Sequence, residues 1–227
     1  MAYLILVVVI AIVSYAVQAS LQRKFRKYSQ MPLQNGMTGA QVAQKMLNDH
    51  GIYDVKIQCV GGSLTDHYNP VDKTLNLSET VYGVNSVAAA AVAAHECGHA
   101  VQHATAYAWL QLRTSLVPAV NFASRSMSIL FIIGLIASSI FNSPMFMVVF
   151  IGLYAITTLF AFVTLPVEIN ASQRALRWLD ESGITNVYNH EYATSALKAA
   201  AYTYVVNALA SLATLLYYIL IFLGRRD

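Results

Sequence analysis

Charge is what this sequence lacks. Of its 227 residues, 11% are Asp, Glu, Lys or Arg and 57% are hydrophobic, whereas a soluble domain carries roughly 25% charged residues. A chain of this length cannot hide such a surplus in a core and still keep a charged skin. A soluble globule and a disordered chain are thereby disfavoured, and the bilayer is the natural place for the excess apolar surface. Cysteine is nearly absent too. Cys59 and Cys97 form no disulfide framework and match no Cys-based zinc spacing, so they read as free thiols. The net charge of +3 gives no reason to expect a nucleic-acid partner. Carboxylates are missing from one long stretch, with no Asp or Glu between Glu96 and Glu168.

What is present is organised around long apolar runs. Residues 1–21 carry no charge and, as a helix, reach about 31 Å, enough to cross the hydrocarbon core. A cleavable signal peptide would place positive charge before that run, yet Arg23, Lys24, Arg26 and Lys27 follow it. A retained anchor is predicted, its C-terminal flank in the cytoplasm. Residues 127–165 read as a transmembrane helical hairpin broken at Asn142-Ser143-Pro144, and 204–227 as a last span with its tail. Four spans place 22–126 and 166–203 in the cytoplasm, together with every Lys and Arg except Arg225 and Arg226. The expected location is a multi-pass protein of the cell membrane.

Between the first two spans lies a small α+β domain, residues 22–126. Thr38-Gly39-Ala40-Gln41 has the form of a capping box opening a short helix. Residues 54–60 alternate as a strand, and 64–68 with 74–77 suggest a hairpin or two edge strands. Ser86 then opens an alanine-rich helix over 86–107, which carries His95, Glu96, His99, Gln102 and His103. Those polar groups favour a site outside the bilayer core.

His95-Glu96-Cys97-Gly98-His99 is an H-E-x-x-H sequence. Four residues advance a helix by about 400°, so the imidazoles stack one turn apart on one face, where both can reach one Zn²⁺. Glu96 lies beside them, able to take a proton from a water whose pKa the zinc lowers toward 7. Cys97 points away from that face, and Gly98 allows close packing behind it. A catalytic zinc needs a third protein ligand. His103 falls eight residues after His95 and reads as a polar neighbour. The next carboxylate, Glu168, sits where the third apolar run ends, and there it needs a cation. A zinc would be one; Arg174 or Arg177 would be another. Glu168, Ala171, Ser172 and Ala175 share a helix face, so small residues there admit a second helix, and Ser172 can hydrogen-bond a ligand histidine.

With these residues in view, the chain resembles the YugP-type family of neutral, membrane-bound zinc metallopeptidases. The resemblance rests on LTDHYNPVDKTLNLSETVYGVNSVAAAAVAAHECGHAVQH (64–103), LPVEINASQRAL (165–176), AAAYTYVVNALASL (199–212) and MTGAQVAQKMLNDHGIYDV (37–55). It implies an α-helical membrane protein with a zincin-like domain and a gluzincin-like site: one Zn²⁺ on His95, His99 and Glu168, with Glu96 as catalytic base. A more distant similarity is to HtpX-type membrane proteases, whose motif has Asp where this chain has Ser172.

The expected activity is a zinc metalloendopeptidase acting on membrane-associated polypeptides, with the lipid bilayer as its other partner. A metal-binding scaffold or partner subunit that does not cleave is the alternative, although such a site needs no Glu96. Substrate binding as an added strand would use 64–68 or 74–77, with Asp66 and His67 either contacting substrate or bracing the hairpin. Candidate stabilisers of the transition-state oxyanion are Arg174, Tyr188, His190 and Tyr192.

Overall fold

The computed structural model describes residues 1–136 and 144–224. In chain order the elements are α1 (Ala2–Tyr28), α2 (Gly39–Asp49), β1 (Lys56–Val60), β2 (His67–Asn69), β3 (Thr74–Ser78), α3 (Glu79–Tyr82), α4 (Val87–Ala104), α5 (Ala108–Ile136), α6 (Pro144–Glu181) and α7 (Val187–Gly224). The strands form one sheet in the order β1-β3-β2. β1 runs parallel to β3 with Lys56 beside Thr74. β2 pairs antiparallel with β3, Tyr68 opposite Leu75.

Among the described residues, α1, α6 and α7 are long and apolar enough to cross a membrane. The sequence suggested four spans. Of its second block, residues 127–136 form the end of α5, and 137–141 lie outside the described part, as do Asn142, Ser143, Arg225 and Arg226. The long helices also exceed the expected boundaries. α1 runs on to Tyr28, α6 continues through Pro166 to Glu181, and α7 starts at Val187 rather than near 204. Residues 166–203, expected to hold the Glu168 helix and a linker, are helical on either side of the short turn between Glu181 and Val187. An apolar helix has few competing partners for its backbone, so one interior proline costs it a hydrogen bond without ending it.

α4 is the hub. It packs against α2, α6 and α7 and meets the edge strand β2. Val87 to Ala91, Ala93 and Ala94 are buried, which explains the alanine: a helix enclosed on all sides needs apolar yet small side chains. Ser86 caps it, its hydroxyl accepting from the Ala89 N–H at 3.1 Å. At α2 the capping box forms as expected: Thr38 Oγ1 accepts from Gln41 N–H, and Gln41 Oε1 from Thr38 N–H. The far end of α6 is tied to α2 where Trp178 Nε1 donates to Asp49 Oδ2 at 3.0 Å. α1 joins α7 through Tyr28, whose hydroxyl donates to Ser195 Oγ at 3.1 Å and whose ring stacks on Tyr192.

The two helices that carry the H-E-x-x-H sequence and Glu168 touch closely. A Cβ on Gly98 would lie 2.6 Å from the carbonyl oxygen of Ala171. Glycine there, with Ala171 and Ala175 opposite and fully buried, lets α4 approach the backbone of α6.

Candidate metal centre

His95 and His99 project from one face of α4, their ring centroids 4.9 Å apart. Glu168 reaches them from α6, just past its apolar stretch. Glu168 Oε2 lies 3.3 Å from His95 Nε2 and 3.5 Å from His99 Nε2. Donors bound tetrahedrally to zinc at about 2.05 Å stand about 3.3 Å from each other, so the spacing matches a three-donor face. The donor atoms all lie within 4.8 Å of one another.

The hydrogen bonds behind these atoms leave their inner sides free. Gln102 Nε2 donates to the Val167 carbonyl at 2.8 Å and to Asn170 Oδ1 at 3.0 Å. Its Oε1 therefore faces His99 Nδ1 at 3.1 Å, and an amide oxygen can only accept. His99 thus carries its proton on Nδ1 and turns the Nε2 lone pair inward. His95 Nδ1 is paired with Ser172 Oγ at 3.1 Å. Arg113 Nη1, from α5, donates to Glu168 Oε1 at 3.3 Å. Oε2 itself is buried without a well-aligned hydrogen-bond donor. Two imidazole nitrogens and an orphaned carboxylate oxygen converge where a divalent cation satisfies all three. Burial pushes the His99 pKa down, but the carboxylates of Glu168 and Glu96 outweigh it and raise it.

Glu96 lines the same cavity, about 400 Å³ in volume, with His95, His99, Arg113, Glu168 and Tyr204. Its Oε2 accepts the backbone N–H of Tyr68 at 3.1 Å. Tyr68 can spare that N–H because β2 is the sheet's outer strand, so the edge of the sheet and the H-E-x-x-H helix are joined at this carboxylate. Cys97 points the other way, fully buried, its thiol donating to the Ala43 carbonyl at 3.5 Å. Burial raises its pKa well above the usual range, which keeps the thiol protonated.

The remaining sequence candidates are distributed unevenly. Asp66 and His67 line the cavity. Asp66 also accepts from Ser78 N–H at 2.7 Å and Ser78 Oγ at 3.0 Å, bracing the start of α3, while His67 Nδ1 bonds the Thr65 carbonyl. His103 pairs with the Tyr68 hydroxyl at 2.8 Å and is not among the clustered donors. Arg174 bonds Asn170 and lies over the Tyr107 ring, so neither it nor Arg177 is the cation beside Glu168. His190 bonds Thr185, Tyr188 is exposed, and Tyr192 stacks on Tyr28; none of the three lines the cavity. Sequence reasoning missed Arg113 and Tyr204. Arg113 had one signal, a charge near the start of an apolar helix, whereas nothing separates Tyr204 from the other 13 of the 14 tyrosines.

A helical protein fitted for the membrane, with an H-E-x-x-H helix facing a buried glutamate beside an edge strand, has the build of a membrane-bound zinc hydrolase. Residues 3–223 match the family model described as "Putative neutral zinc metallopeptidase", and the chain belongs to that family. It is 40% identical over 214 residues to the "Putative membrane protease YugP" of Bacillus subtilis (strain 168), covering 94% of this chain and 93% of the relative. No solved structure matches it.

Proposed function

We propose that the chain is a membrane-bound zinc metalloendopeptidase that hydrolyses peptide bonds of membrane-associated polypeptides. The observation that carries this reading is the position of Glu96: a carboxylate not needed by the three-donor cluster shares its cavity and is held by the edge-strand N–H of Tyr68. His95 Nε2, His99 Nε2 and Glu168 Oε2 would hold one Zn²⁺, a gluzincin-like set. The metal supplies a Lewis acid that polarises a carbonyl and lowers the pKa of water.

The chain's own groups do the rest. Glu96 Oε1, free of the Tyr68 bond, receives the proton of the attacking water and returns it to the leaving amine nitrogen. Ser172 and Gln102 fix the imidazoles with Nε2 inward, and Arg113 holds Glu168 by its outer oxygen. The outer edge of β2 offers backbone groups to an extended peptide beside Glu96. Tyr204, on α7, lines the same cavity and is the group assigned here as donor to the developing oxyanion.

The membrane setting supports the substrate class, because Val117, Phe160 and Tyr204 of the long helices form part of the cavity wall. The domain faces the cytoplasm, with Arg23, Lys24, Arg26 and Lys27 at the inner end of α1. The test is Glu96→Gln in detergent or liposomes, with zinc content measured. Retained zinc with cleavage of an unfolded protein lost by at least about 100-fold is expected. Equal cleavage by both forms refutes the hydrolase and leaves the non-proteolytic metal-binding scaffold.

A further inference from the structure

A second cavity, about 380 Å³, opens one helical turn beyond His99 and adjoins the catalytic cavity, sharing Pro70, Leu110 and Thr114 as a common wall. Its surface is almost entirely carbon, although Gln102 and His103 are among its walls. The hydrogen bonds explain why. The Gln102 amide is committed to His99, Val167 and Asn170, and His103 Nδ1 to the Tyr68 hydroxyl. Pro70, Ala106, Tyr107 and Leu110 line the space, and Gln111, Thr114 and Ser115 of α5 complete it.

Ala106 is the unusual member. It stands in the turn between α4 and α5 with φ of +51°, the left-handed region that glycine or asparagine normally occupies. The turn is closed by Ala106 N–H to the His103 carbonyl and Tyr107 N–H to the Gln102 carbonyl. This tight reversal sends α5 away from α4 at once, and the gap it opens is the cavity. A small side chain at 106 keeps it open.

We infer that this pocket receives the side chain of a large aliphatic or aromatic substrate residue next to the scissile bond, and that Ala106, Tyr107 and Leu110 set that specificity. The inference rests on the peptidase reading of the adjoining cavity. A peptide extended along β2 beside Glu96 passes the shared wall of Pro70 and Leu110, so one of its side chains is directed past Leu110. The volume accommodates Phe, Leu, Met or Tyr. The predominantly apolar surface favours such side chains over a charged one, whose desolvation it offsets little.

The experiment uses the full-length, zinc-loaded protein in detergent micelles. Cleavage of a peptide mixture by the parent is read by mass spectrometry. Binding of labelled peptides differing only as Phe or Ala at one central position is read by fluorescence anisotropy on the Glu96→Gln variant. Cuts flanked by Phe, Leu, Met or Tyr are expected, with the Phe peptide binding about tenfold or more tightly than its Ala partner. Ala106→Phe, which fills the pocket from its floor, abolishes that ratio while zinc content is kept. Ala106→Gly, which relieves the turn and leaves the space, preserves it. Should Ala106→Phe not fold, Gln111→Trp fills the pocket from its exposed rim. Equal binding of the two peptides, or a preference that survives the filling, overturns the pocket and leaves the hydrolase standing. If the parent holds zinc and cleaves nothing, the hydrolase reading falls instead, and the pocket is decided by the binding ratio alone.

Discussion

Arg113 Nη1 donates to Glu168 Oε1 at 3.3 Å, and the other oxygen of that carboxylate faces both imidazoles. One guanidinium thus decides which oxygen a metal meets. It also offsets a charge that sits almost wholly buried, with Glu168 3% exposed. Replacing Arg113 with Met should lower zinc affinity about 10–100-fold, with Lys recovering part of the loss. Competition against a chelator of known affinity measures this without any assay of activity.

His95 depends in the same way on Ser172. Ser172→Ala removes the partner of Nδ1 and frees the ring to turn, so zinc affinity should fall about tenfold while the fold persists. Gln102→Leu should cost more. It strips His99 of its acceptor and also leaves the Val167 carbonyl without its donor, joining a binding defect to a loss of about 1–3 kcal/mol in stability. Thermal unfolding and zinc titration on the two variants separate the effects.

Gly98 tests the contact between the helices. An alanine methyl 2.6 Å from the Ala171 carbonyl oxygen cannot be accommodated without moving α4 from α6. Gly98→Ala should destabilise the protein by about 1–3 kcal/mol, although alanine is the better helix former. Because the same contact sets the spacing of His95, His99 and Glu168, zinc affinity should fall with it. A variant as stable as the parent would show that the helices have room to part.

Zinc itself should stabilise the fold, since its donors are brought together only in the native state. At a free concentration 100 times the dissociation constant the gain is about 2.7 kcal/mol. Removal of zinc by a chelator should therefore lower the unfolding temperature, and zinc should restore it where magnesium does not. Glu168→Ala should abolish most of that difference while leaving α6 helical.

Much of this was legible in the sequence because it is local. The low charge content and the apolar runs require a lipid setting, since the penalty for unpaired backbone and charge in hydrocarbon is independent of what surrounds the segment. The H-E-x-x-H spacing puts two imidazoles on one face of any helix. The Thr38 capping box and the small-residue face around Ala171 follow from the same periodicity. Glu168 stood out as the first carboxylate after Glu96, at the end of a long stretch without any.

Only the tertiary structure decided the rest. Whether Arg113, Arg174 or Arg177 pairs with Glu168 depends on which helices pack together, and position along the chain offered only Arg174 and Arg177 as alternatives to a metal. Tyr204 enters the cavity from α7, far along the chain, and no pattern within its own segment marks it. The continuity of α6 was likewise a matter of context: the spacing of Glu168, Ala171, Ser172 and Ala175 marks a helix after Pro166, but only the tertiary structure joins it unbroken to the apolar run before it. Periodicity orders the residues within one helix; the faces that meet are set by packing between helices, where Gly98 admits Ala171 and brings Glu168 to the two histidines.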